Sequence, residues 1–248
     1  MDEQQILNGN DLDWMVVFRT EGGILRVGQL LNLPNGVPKD QPWAVSFRFD
    51  YSSMDNGLPA NLSQAEKLED RILEELKAFG ILKVGHWNSN GARTVLAYAR
   101  SAPPRTISVK VNLFRKAEVE LEVREDPTGS AYELQYKPTP LEVVIHRDRL
   151  LMEKLASLND RPEIVRPVDF NCFFKTGAQA DQFVELATQS GFSVGARDSD
   201  EEGHFVEAVR STSLLIEEFG PIRLEIERLC EAAGGEFDGW ATGVETGD

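Results

Sequence analysis

The chain has 248 residues, 41% of them apolar, and its 26 Lys plus Arg stand against 41 Asp plus Glu for a formal charge of −15. That apolar content suffices for a packed core and excludes disorder as the organising state, while the charge excludes general affinity for nucleic acid or an anionic membrane. Met1–His146 carries a net −4 and Arg147–Asp248 a net −11, so the acidic surface is concentrated in the second part. A basic protein partner is the natural complement of such a surface.

The opening Met1-Asp2-Glu3 has no basic region or apolar run, and no eighteen consecutive apolar residues occur anywhere, so a cytoplasmic protein is expected. Short alternating runs follow at Trp14–Arg19, Leu25–Leu31, Trp43–Phe49, Thr94–Arg100, Ile107–Leu113, Val119–Val123 and Tyr132–Tyr136. Separated by turn residues, they predict an antiparallel sheet. Between the third and fourth, Leu68, Ile72, Leu73, Leu76 and Phe79 form a helical stripe over Ser63–Phe79, with Ser63 as its cap and Glu66 three residues on. One helix packed on an antiparallel sheet is the expected first domain, residues 1–140.

Pro138-Thr139-Pro140 interrupts the strand pattern, which puts the boundary near Pro140 and the second domain at 141–248. Leu141–Leu158 reads as a helix. Val168, Phe170, Cys172 and Phe174 alternate with polar neighbours as a half-buried strand, with Phe173 the aromatic exception on the polar side. Thr176 caps a helix over Ala178–Gln189, Gly191 ends it, and strands are expected at Phe192–Ala196 and Phe205–Arg210. A further helix is expected to start with Pro221 in its first position and to present Ile222, Ile226, Leu229 and Ala233. The glycines Gly234-Gly235 precede a last strand in which alternation puts Phe237 and Ala241 on one side and Asp238, Trp240 and Thr242 on the other. The order β-α-β-β-α-β is that of the ferredoxin-like fold, and the whole chain is α+β. Phase then places Phe173 and Trp240 together on the sheet face away from the two helices, unless the first domain or the helix after Pro140 covers it.

The closing run GGEFDGWATG, with the stretch from Asp160 through VDFNCFFKTGAQADQFVELATQSGFSV, resembles the RraB family of bacterial regulators of ribonuclease E activity over roughly Leu141–Gly243. The stretch GLPANLSQAEKLEDRI, with Gly85-His86, Arg93, Asp126-Pro127 and Tyr132, is similar to a bacterial domain family of unknown function that accompanies RraB-type domains. The first resemblance implies a non-catalytic protein that binds a basic segment of a ribonuclease E-like enzyme. Asp198, Asp200, Glu201 and Glu202, with Asp181 and Glu185, would supply charge, and Trp240 and Phe173, beside Asp238, an apolar or cation-π anchor.

Chemistry of other kinds lacks its residues. His86, His146 and His204 are isolated from one another and from Cys172 and Cys230, which read as buried free thiols, so no zinc spacing appears. Neither phosphate-binding glycine loop nor the G-x-S-x-G elbow occurs, and no cofactor is expected. Asp198, Asp200, Glu202 and Gly203 imitate the start of a calcium loop, but Val209 stands where the bidentate Glu is required, leaving an acidic surface turn and no metal. Two other functions stay open: an anion sensor in which His86, Arg48, Arg93 and Arg100 line a cleft of the first domain, and a hydrolase assembled around His86 or His204. An uncovered sheet face could also pair with itself about a two-fold axis.

Overall fold

Alternation of buried and exposed side chains builds the first sheet. The computed structural model describes residues 13–52, 54, 59–110 and 116–247, and the chain divides into two units, Met1–Thr139 and Pro140–Asp248. In the first, β1 (Trp14–Glu21), β2 (Ile24–Leu31), β3 (Trp43–Asp50), β4 (Leu82–Ser89), β5 (Ala92–Ala99) and β8 (Glu122–Glu125) form one antiparallel sheet in the order β1-β2-β4-β5-β3-β8. β6 (Thr106–Lys110) and β7 (Lys116–Glu120) make a separate ribbon. The single strand expected over Val119–Val123 is therefore broken at Leu121, whose buried side chain and N–H to Arg105 O bond (2.8 Å) turn the chain from ribbon to sheet. The end of the run expected over Ile107–Leu113 lies outside the described residues.

Each face of this sheet is covered over part of its area. On one, α1 (Leu62–Leu76) buries Ala65, Glu69, Ile72 and Leu76, one stripe at helical spacing, and packs Ile72 and Leu76 on Val45, Phe47, Val95 and Ala99. Its cap is Asn61, which accepts from the Gln64 N–H at 3.1 Å, and not Ser63, which lies inside the helix. On the other face, residues 132–136 form a π-helical turn where a strand was expected. Asp126 fixes it, accepting from Tyr98 Oη (2.7 Å), the Ser130 N–H (2.9 Å) and the Ala131 N–H (2.9 Å), while Tyr132 Oη donates to Leu31 O at 3.0 Å. With Tyr132 and Tyr136 both buried against Trp87, Leu96 and Tyr98, the segment caps the sheet and does not extend it.

The second unit starts with α2 (Pro140–Ser157) and continues β9 (Arg166–Phe174), α3 (Gly177–Gln189), β10 (Ser193–Ser199), β11 (His204–Thr212), α4 (Ile216–Ala232) and β12 (Glu236–Thr242). The four strands are antiparallel in the order β10-β11-β9-β12, the ferredoxin-like arrangement, with the first strand central. Thr176 caps α3 in a reciprocal capping box with Gln179. Pro221 sits inside α4 and not at its first turn: burial of Phe219 draws the preceding residues into the helix, and the proline removes one interior hydrogen-bond donor.

Val168, Phe170, Cys172 and Phe174 of β9 share one core with Phe183 of α3, Phe219, Ile226 and Cys230 of α4, and Leu155 of α2. The thiols of Cys172 and Cys230 are free and buried, and the contact between them together with burial raises the Cys172 thiol. The helix after Pro140 thus joins the layer of α3 and α4, where Arg223 meets Asp148 at 3.2 Å and Arg147 meets Glu227 at 3.0 Å. It does not cover the opposite sheet face. Among the described residues no helix is long and apolar enough to cross a membrane.

Candidate protein-binding surface

The face of the second sheet that turns away from its helices is built from alternate residues of three strands. Register sets Phe173 opposite Phe205 and Glu236, Asn171 opposite Glu207, and Asp169 opposite Val209 and Ala241. Phe173, Phe205, Asp169 and Glu207 are each only partly buried. Burial, and secondarily the charge of Glu207, raises the Asp169 carboxyl. Glu207 Oε1 accepts from the Ala196 N–H at 3.2 Å; two carboxylates on one half-desolvated surface gain from a cation, and the two phenyl rings offer it apolar and cation-π contact.

At one end of this face the β10–β11 turn adds Asp198, Asp200, Glu201 and Glu202, all exposed. Asp200 Oδ1 accepts from the N–H groups of Glu202 (2.8 Å) and Gly203 (3.1 Å), so the calcium-like string is used to close a tight turn. Only glycine fits at 203, because a Cβ there would collide with the ring of Phe173. Phe173 thereby joins the acidic turn to the sheet face as one surface.

The other expected contributors are placed differently. Trp240 is only 6% exposed and points to the helices. The reason is a bulge in β12: Phe237 pairs with Cys172 and Gly239 with Asn171, so Asp238 is an extra residue and alternation changes phase. Phe237 and Trp240 consequently lie on the same, core side; Phe237 packs under the Arg223 guanidinium, 3.7 Å from its ring centre. Asp238 is exposed at the bulge. Asp181 is on α3, in the helix layer, and is paired with Arg197 at 2.7 Å; Glu185, one turn on, accepts from Gln189 at 3.2 Å.

In the first unit, the four residues of the expected anion cleft do not converge. His86 and Arg93 face α1 and meet Glu69, with Arg93 Nη1 2.8 Å and His86 Nδ1 3.3 Å from its Oε2 and Lys83 on its Oε1. Arg93 also donates to Asn88 Oδ1 at 2.9 Å. Burial pushes the Glu69 carboxyl up, but the His86 imidazole beside it and the Lys83 charge outweigh that and hold the group at about 2. Burial also lowers His86, against the pull of Glu69. Arg100 is exposed and paired with Asp40 at 3.0 Å, and Arg48 belongs to the opposite sheet face.

Glu69 was not legible as a site residue: it interrupts an apolar stripe in a helix rich in carboxylates. Phe205 and Glu207 are not legible as surface partners because only strand register brings β11 beside Phe173, whereas Asp169 shares the face of Phe173 by alternation along β9.

The fold and this surface define a split βαβ domain with an exposed acidic and aromatic sheet face. Residues 146–242, within the C-terminal unit, match the RraB family model, described as Regulator of ribonuclease activity B. No curated protein matches the chain.

Proposed function

We propose that the chain is a non-catalytic regulator whose C-terminal unit binds a basic segment of a ribonuclease E-type endonuclease and thereby restrains it. The observation that supports this most directly is the RraB match over residues 146–242, a family of regulators. The binding surface is the sheet face of Phe173, Phe205, Asp169 and Glu207 together with the turn Asp198–Glu202. An arginine-bearing segment laid on it gains bidentate contact with carboxylates and stacking on the phenyl rings, and the charge of the unit speeds encounter. A segment so held is withdrawn from RNA, for which its arginines would otherwise compete.

The test is titration of the full chain against such an endonuclease at low and high salt. Binding should weaken as salt rises, and charge reversal at Asp200, Glu201 and Glu202 should weaken it at least several-fold at low salt. Salt-independent binding, or equal binding by the reversed variant, would remove the acidic turn from the interface; no binding under any condition would refute the regulator reading for this chain.

A further inference from the structure

A trough on the first sheet, on the side that carries the π-helical turn, has the features of a small-ligand site. Register aligns Gly28, Trp87, Thr94 and Arg48 across the four adjacent strands β2, β4, β5 and β3. In the next row outward, Ser89 is opposite Ala92, and Arg26 stands two residues before Gly28 on β2. Of the central side chains Thr94, Ser89 and Ala92 are small, Trp87 forms one wall, and a long arginine rises at each side. With about 4.8 Å between strands and about 3.3 Å per residue along them, the backbones of Arg26 and Arg48 are on the order of 16 Å apart, a span that two arginine side chains can close on one ligand. The resulting cavity has a volume of about 400 Å³.

Its walls are rigid where rigidity matters. Trp87 lies directly on Gly28, where a Cβ would come within 2.6 Å of the indole, and its Nε1 donates to Gln135 O at 3.2 Å. Arg26 stacks on one side of this ring at 4.8 Å and Arg19 also lies on it, at 4.9 Å, so Arg26 is held in place by an aromatic surface. Its Nη1 is bonded to the carboxylate of Glu21, an exposed side chain at the start of the Gly22-Gly23 turn. That internal carboxylate shows that the guanidinium is oriented to take an oxyanion. Arg48, in contrast, has only a loose contact with Asp50, at 3.9 Å, and is available to a ligand.

We propose that the trough binds a small molecule bearing a carboxylate or phosphate group, held between Arg26 and Arg48, with Glu21 as the internal competitor that the ligand displaces. The site is in the first unit and does not depend on the regulator reading. Citrate and inorganic phosphate, each against chloride at matched ionic strength, are titrated into the full chain while backbone amide shifts are followed by NMR.

Saturable shifts at Gly22, Ser89, Asn90 and Thr94 with either oxyanion support the site, and the one that saturates at lower concentration identifies the head group. Arg48→Gln, a change at an exposed side chain, should weaken the affinity about tenfold, and Glu21→Gln should strengthen it. Shifts that never saturate, that chloride reproduces, or that survive Arg48→Gln with unchanged affinity would overturn the proposal.

Discussion

The indole of Trp240 packs on the ring of Phe219 with centroids 4.7 Å apart and planes inclined by 57°. The tryptophan of the EFDGW run is thus a core residue that ties the last strand to α4. Trp240→Ala should cost about 3–5 kcal/mol, the usual range for removing a large buried aromatic ring. Phe173→Ala removes a half-exposed ring and should shift the urea midpoint far less while weakening partner binding. If the two variants shift the midpoint equally, the division between core and surface drawn from the bulge is wrong.

Glu69 makes the first unit sensitive to acid. Its carboxyl is depressed from an ordinary 4.5 to about 2 in the folded protein, so the stabilisation it provides is complete above about pH 4.5 and is lost as pH falls towards 2. Glu69→Gln should lose about 3–5 kcal/mol at neutral pH, because it leaves the Lys83 and Arg93 charges without their buried partner. The same variant should flatten the acid limb of the stability curve. Parallel acid limbs in the two proteins would show that another group carries the effect.

The end of the described chain is held by a second buried pair. Arg166 bonds Asp160, and it donates to Arg161 O at 2.6 Å and Gly243 O at 3.2 Å, while Asp160 Oδ1 accepts from the Glu245 N–H at 2.8 Å. Burial raises the Asp160 carboxyl, but the Arg166 and Glu245 bonds prevail and the group stays below its ordinary range. Arg166→Met should therefore speed hydrogen exchange at Glu245 at least tenfold, with the β9–β11 ladder protected as before. Unchanged exchange at Glu245 would mean that the clasp does not hold the tail.

Sequence pattern was a good guide wherever burial simply alternated. β9 was legible because Val168, Phe170, Cys172 and Phe174 keep strict period two, and α3 because Thr176 caps its start and Gly191 follows its end. The misread places have definite causes. Tyr132–Tyr136 alternates like a strand, yet Asp126 turns the preceding backbone and the two tyrosines anchor a π-helical turn. Trp240 was given the wrong face because the extra residue Asp238 shifts the phase. The Glu69 cluster and the Arg26–Arg48 trough depend on pairing between distant strands, and the single-strand pattern carries no record of which arginine ends beside which carboxylate.

The bulge at Asp238-Gly239 also has a meaning for how such domains are compared. Gly239 has φ +133, a backbone state that side-chain-bearing residues rarely adopt, and a Cβ there would meet nothing within 4 Å. The glycine is required by conformation and not by space. Aspartate and glycine in this run act as a phase marker: a related chain without the bulge keeps both aromatic rings inside only if a single residue separates its phenylalanine from its tryptophan. Aligning the last strands residue by residue, without a one-position offset at the aspartate, would confuse the interior of one protein with the exterior of another.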